Sequence, residues 1–248
     1  MTDLSGVQSA LAGGAHDLID SLLGDLLSRG PNQHTRLLRL HTPLGPDVLL
    51  AERARITECI APHARLPTFA VELLALSTQA HIQPEELLGQ PVLLELLTAH
   101  SRTELRPFHG HVLCLELLGS DGGYGRYRLQ IGSWLDVLRH RTDSWVFQDM
   151  SAIDITEAIF ADYQGQGALQ PAWRWDLKDA TVYPRLSTLS QHAETDFDFL
   201  QRLWAANGLF CWFEHTGNSA DTSSLGLHTL VIADHNGAFC SKDRKSVV

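Results

Sequence analysis

The stretch between Phe108 and Ile131 constrains the fold more than any other part of the chain. Residues 108–118 form one apolar-rich arm. In the second arm, residues 124–131, Tyr127, Leu129 and Ile131 alternate with Arg126, Arg128 and Gln130. Such alternation describes a strand with one face on a core and the other in water. The five residues between the arms, Gly119-Ser120-Asp121-Gly122-Gly123, include three glycines. Glycine supplies the positive φ values that a tight connection between antiparallel strands needs. The stretch is predicted to be a β-hairpin whose return arm is a half-buried antiparallel strand.

The surrounding sequence extends that sheet. Residues 36–41 predict a short strand, 42–47 a Pro/Gly turn, and 48–60 contain a second strand. Phe69, Val71, Leu73 and Ala75 alternate with Ala70, Glu72 and Leu74, which predicts a third. Residues 84–89 predict one helical turn, with proline first and glycine last. Residues 92–98 predict a further strand. Short strands at this spacing suggest a small barrel.

After Trp134 the pattern changes. Ser151-Ala152-Ile153-Asp154 has capping-box spacing and opens a helix to about Tyr163, predicted to bury Ile155, Ala158 and Ile159. Residues 165–171 predict a loop and 186–191 a strand. Thr195-Asp196-Phe197-Asp198 opens a second helix, which Asn207-Gly208 stops. Residues 209–214 and 228–233 predict two strands. Before all of this, 17–28 predict an amphipathic helix carrying Leu18, Ile19, Leu22, Leu23, Leu26 and Leu27. The expected organisation is an N-terminal extension (1–32), a β-barrel-like domain (33–134), a mixed α/β domain (135–236) and a separate tail (237–248). The fold class is α+β, rich in antiparallel β-structure.

Charge and composition exclude several functions. The net charge is -10, from 29 acidic and 19 basic residues. Nonspecific nucleic-acid binding needs a basic footprint, and anionic lipid also attracts basic segments. No apolar run approaches the roughly 18 residues of a membrane span. The first basic residue is Arg29, so the start lacks the basic region of a secretory signal. Cys59, Cys114, Cys211 and Cys240 are far apart and form no Cys-x-x-Cys pair. They are expected to be unpaired thiols in a reducing cytoplasm, with Cys114 and Cys211 inside apolar runs as core cysteines are.

Few residues suggest chemistry. His109 and His111 flank Gly110 and would share one strand face, but a zinc site needs a further ligand and no zinc motif is present. No metal site or cofactor is expected. Glu194 and Asp198 could form the carboxylate pair of a glycosidase. However, Thr195 as N-cap and Asp198 three residues later already account for the local pattern. The glycine-rich loop joins two strands, whereas a phosphate cradle joins a strand to a helix. Trp173, Trp175, Phe210, Trp212 and Phe213 are expected in a core or interface. No catalytic residue is assigned.

Several short stretches acquire meaning in combination. They are the run Pro84-Glu85-Glu86-Leu87-Leu88-Gly89-Gln90-Pro91-Val92, Arg106-Pro107-Phe108-His109-Gly110 and Leu118-Gly119-Ser120-Asp121-Gly122. Tyr127-Arg128-Leu129, Trp134-Leu135, Phe147-Gln148-Asp149 and the Ser151 helix follow. Last come Tyr183-Pro184-Arg185, the run from Glu194 to Leu200 with Arg202-Leu203, and Phe213-Glu214-His215. In order and spacing this set resembles the N-terminal module of the VgrG/Rhs-associated Vgr family over about residues 34–236. The resemblance implies a contractile-phage tail-hub fold of antiparallel β-barrels with helical insertions. It implies a homotrimer at the tip of an Hcp-type tube that carries effector or adaptor proteins, with no catalytic residues in this module. It also implies assembly in the cytoplasm, followed by export through the type VI machine without a cleaved signal.

The chain departs from that family in the 1–32 extension, in Ala205-Ala206-Asn207 where the family is acidic, and in ending near 248 without the family's needle. It is therefore expected to be an N-terminal fragment. A hub of a contractile phage or phage-like particle is the alternative. A baseplate glycan hydrolase using Glu194 and Asp198 is an alternative of another class.

Overall fold

The computed structural model describes residues 32–33, 36–60, 68–79, 81–98, 105–121, 123–217 and 225–238. The amphipathic helix expected within 17–28, the tail beyond 238 and Cys240 lie outside them. The described residues are mostly β-structure, in line with the expected fold class. Six strands form the main sheet: β1 (Leu38–His41), β2 (Leu50–Glu58), β3 (Phe69–Ser77), β4 (Pro91–Leu97), β5 (Leu105–Asp121) and β6 (Tyr124–Gly132). Their order is β1-β4-β5-β6-β3-β2, antiparallel throughout. The sheet curls so that β1 lies near β2, but the described residues form no ladder between these two edges.

Alternation decides which face is buried. Val71, Leu73 and Ala75 of β3 stand opposite Ile131, Leu129 and Tyr127 of β6, and all six are buried. The intervening Arg126 and Arg128 face outward and pair with Glu52 and Glu116. Such exposed pairs contribute at most about 1 kcal/mol each, so apolar cross-strand packing supplies most of the cohesion. Between β5 and β6 the register slips twice, leaving Leu113 and Leu118 as extra residues. Bulges of this kind bend and twist a strand, which accounts for part of the curl.

Gly110 allows a close approach of β5 to β6. A Cβ there would lie 2.7 Å from Ile131 Cγ2 and 2.8 Å from the Gly132 carbonyl oxygen. At the β1 edge, the Gln33 side chain accepts from the Leu40 N–H (2.7 Å) and donates to the Leu40 carbonyl (2.9 Å). It thereby occupies backbone groups that a free edge would offer to another strand.

The second half holds two smaller sheets and two helices. β7 (Thr142–Phe147) pairs with β9 (Leu189–Thr195), and β10 (Phe210–Thr216), β11 (Leu227–Ala233) and β8 (Trp173–Asp176) form the other sheet. The sequence pattern did not predict β7, β8 or the 3-10 segment Trp134–His140. β8 also runs parallel to β11, so the expectation of purely antiparallel sheets fails there. The strand expected at 186–191 starts only at Leu189, with Leu186 making an isolated bridge to Met150.

Both predicted caps are formed. Ser151 caps α1 (Ala152–Asp162) and Thr195 caps α2 (Asp196–Ala206). Gly208, at φ +68°, follows the end of α2. Helix α1 buries Ala152, Ile155, Thr156, Ile159 and Phe160, a stripe of i, i+3 and i+4 spacing. Ala158 falls off that stripe and is exposed, which corrects the expectation. One connected apolar cluster draws on residues from both halves.

A buried carboxylate fixes the second helix. Asp196 is fully buried and accepts from Arg141 Nε (2.6 Å), the Tyr163 hydroxyl (2.6 Å) and Gln191 Nε2 (2.8 Å). Burial first, and then the bond to this carboxylate, push the Tyr163 hydroxyl pKa upward.

Two substitutions test this framework. Gly110→Ala should overpack the β5–β6 contact and cost about 1–3 kcal/mol, read as a lower urea midpoint. Asp196→Ala should cost about 3 kcal/mol in the same measurement, because removing one partner of a buried pair strands the others.

Candidate functional site

The clearest polar concentration lies where the main sheet meets the β10–β11–β8 sheet. His109 and His111 point inward from β5, as their spacing around Gly110 predicts, and each is only 1% exposed. They are joined by His228 of β11, which is fully buried, and by His215 of β10. Ring centroids are 5.1 Å apart for His109–His228, 5.4 Å for His111–His228 and 6.0 Å for His109–His111. The sequence reading named His215 only within the Phe213-Glu214-His215 motif and did not single out His228. The available signal was their position two residues from the inward Phe213 and Leu230 on their strands.

Hydrogen bonds set the tautomers. The Trp134 N–H donates to His228 Nε2 at 2.9 Å, so that nitrogen carries no proton. The His228 proton is then on Nδ1, which donates to His109 Nδ1 at 2.8 Å. His109 in turn carries its own proton on Nε2. His215 Nδ1 lies 3.0 Å from the His109 carbonyl oxygen and 3.3 Å from the His109 backbone nitrogen, so it meets both an acceptor and a donor, and His111 Nε2 lies 3.3 Å from the Ala168 carbonyl oxygen. The other nitrogens, His109 Nε2, His111 Nδ1 and His215 Nε2, are buried and reach no hydrogen-bond partner among the described residues.

Burial is the main cause of every pKa change here. It lowers His109 to about 3, helped by the charges His111 and His215 would carry. It lowers His215 to about 4, opposed by the bond to the His109 backbone and helped by Arg106. His111 is also lowered, although the Ala168 carbonyl pulls the other way. His228 lies well below the usual 6.5, with the other three histidines adding to the effect. All four rings are therefore neutral near pH 7. Among the described residues, no group of three His, Cys, Asp or Glu side chains is arranged to hold a metal ion.

The remaining candidates are engaged elsewhere. Asp198 accepts from the Thr195 hydroxyl at 2.7 Å, and its N–H donates back at 3.0 Å. Glu194 pairs with Arg202. Trp173 and Trp175 both donate to Glu157 Oε1, at 2.7 and 2.6 Å, and so tie β8 to α1. Phe213 packs edge-on against Trp134. Cys211 is a buried thiol whose pKa burial raises to about 12, and Cys59 is partly buried. Cys114 is exposed, contrary to expectation. It lies on β5 past Val112, beyond the last residue that β4 pairs with.

Two strands carry neighbouring apolar groups on the outer surface. Leu113, Leu117 and Leu118 are exposed along the outer part of β5, and Trp145 and Val146 are exposed on β7. These are the largest uncovered apolar side chains on the two strands.

Comparison with known proteins places these features in a family. The phage tail baseplate hub (GPD) family matches residues 65–248. The type VI secretion system spike proteins VgrG1c and VgrG1a of Pseudomonas aeruginosa are each 32% identical to this chain, over 221 and 209 residues. Those alignments cover 87% and 83% of this chain, but 27% and 29% of the two relatives. The chain thus spans somewhat over a quarter of the length of the curated relatives it matches. Among solved structures, the fold is similar to that of the E. coli c3393 protein, described as a component of the type VI secretion system with structural similarity to T4 bacteriophage tail proteins gp27 and gp5. The TM-score is 0.65 at 20% identity, covering 80% of this chain and 50% of that one. The resemblance to VgrG proteins drawn from the ordered motifs is borne out. The chain belongs to the phage tail baseplate hub family.

Proposed function

We propose that this chain is the hub module of a type VI secretion spike, joining an Hcp-type tube to a needle and carrying effector or adaptor proteins. The observation that carries the reading is the match of residues 65–248 to the baseplate hub family. The spike-protein relatives support the secretion setting over a phage particle. In this reading the chain acts as a homotrimer, as symmetric closed assemblies do, and obligate interfaces of that kind are large and apolar. The exposed apolar residues of β5 and β7 suit such contacts. Residues 33–134 and 135–236 form its two halves, and the 1–32 extension is an added docking element.

The same reading has the protein assembled in the cytoplasm and exported by the machine itself. No helix among the described residues is long and apolar enough to cross a membrane. It also makes the module a structural part rather than a catalyst. The carboxylates that could suggest a glycosidase, Glu194 and Asp198, are held by Arg202 and by the α2 cap.

Light scattering should return three times the 27.5 kDa mass of one chain, and the chain should co-purify with a tube protein encoded beside it. A strict monomer with no affinity for that protein would overturn the proposal. Tail-tube and tape-measure genes alongside would favour the phage reading instead. Glycan hydrolysis should be at background for the wild type and for Glu194→Gln alike. Activity that Glu194→Gln abolishes would establish the enzyme reading.

A further inference from the structure

We propose that the four-histidine seam is an acid-opened joint between the main sheet and the β10–β11–β8 sheet: neutral rings hold it shut, and protonation forces it apart. The argument rests on which nitrogens accept hydrogen bonds. His228 Nε2 accepts from the Trp134 N–H, and His109 Nδ1 accepts from His228. A proton on either acceptor would set two donors against each other at 2.9 or 2.8 Å. A charged His111 or His215 carries a proton on both ring nitrogens, and His111 Nδ1 and His215 Nε2 are buried with no acceptor for it among the described residues. Every way of charging the cluster therefore breaks a bond or strands a donor, in a site where a charged ring faces other imidazoles within about one ring diameter.

No carboxylate in the described residues is placed to compensate. From β5, Arg106 is itself cationic and pairs outward with Glu58. From β10, Glu214 is exposed and bound to Arg174 of β8, which also holds Asp176. From the 3-10 segment, Asp136 is bound by Ser133 and Arg139. From β4, Glu95 holds His41. The segment around Ala168 contributes a backbone carbonyl only. The remaining walls are Phe69, Phe108 and Phe213, with Phe69 4.3 Å from the His215 ring.

The direction of the pH effect follows from the lowered pKa values. Rings that resist protonation when folded, but titrate at the usual 6.5 when released, stabilise the closed seam fully above pH 6.5. That contribution is lost as the pH falls below 6.5 towards the folded values. For His215 alone, about 4 against 6.5, closure weakens about thirtyfold between pH 7.5 and 5.0. The joint is local: β5 is the strand of the main sheet that meets β10 and β11, β3 reaches the seam through Phe69 at its start, and β2 is the edge strand beyond β3.

Hydrogen exchange on the full chain, corrected for intrinsic rates, tests the joint. Between pH 7.5 and 5.0, peptides covering 106–112, 134–140 and 226–233 should lose at least tenfold protection, and β2 peptides less than threefold. Protection kept at the seam, or lost equally everywhere, would overturn the proposal. His215→Phe, which replaces one ring with a nonionisable one in an aromatic surround, should reduce the acid loss. An undiminished loss in a folded His215→Phe protein would count against it. Nitrogen-15 imidazole spectra of the wild type give a check that needs no variant. The four rings should stay neutral until seam protection falls, and a charged ring in a closed seam at pH 6.5 would refute the mechanism. Stoichiometric zinc uptake at pH 7.5 that His228→Gln abolishes would also overturn it, by making the cluster a metal site.

Discussion

The bond from the Trp134 N–H to the His228 ring carries information from one half of the molecule to the other. Trp134 follows directly on β6, and its indole is fully buried among Phe160 of α1, Trp173 of β8 and Phe213 of β10. One residue thus gathers the end of the main sheet, a helix and two strands of the second sheet. The bond to His228 pins the Trp134 main chain at this junction. Burial keeps the His228 ring neutral, which leaves its Nε2 a lone pair for that bond.

Much of the main sheet was legible because alternation is a local signal. Tyr127, Leu129 and Ile131 show their inward face without reference to any partner, and the glycine-rich run at 119–123 shows the reversal, although the ladder continues through Gly119, Ser120 and Asp121 and the loop is shorter than the expected five residues. Caps were legible for the same reason, since Ser151 and Thr195 bond within their own first turn. What failed depends on distant residues. β8 is four residues long and gains its place from Glu157 and from pairing with β11. β7 shows an almost wholly exposed pattern, so it carries no periodic mark. Cys114 looks like a core residue by its neighbours and is exposed because, past the bulge at Leu113, it stands opposite the outward-facing Gln130.

The histidine seam was half legible. The pair around Gly110 could be read as one face of a strand, but two of the four rings come from strands more than a hundred residues later. Gly110 itself is explained only by what lies across from it, the Gly132 carbonyl and Ile131. A sequence shows that a glycine is present; the neighbour that forbids a side chain is a property of the packed sheet.

The strand order carries a consequence for how the chain becomes a sheet. β1 pairs only with β4, so Leu38 must wait for Leu96, and β3 must wait for β6 before its second edge is covered. During synthesis β1 therefore emerges long before its partner β4, while β5 and β6 can close on each other as soon as their short loop is made. Non-local pairings of this kind are slow, and uncovered edges are exposed to other chains in the meantime. The hairpin is thus the natural nucleus, and the Gln33 side chain on Leu40 guards the first strand to be made and one of the last to be placed.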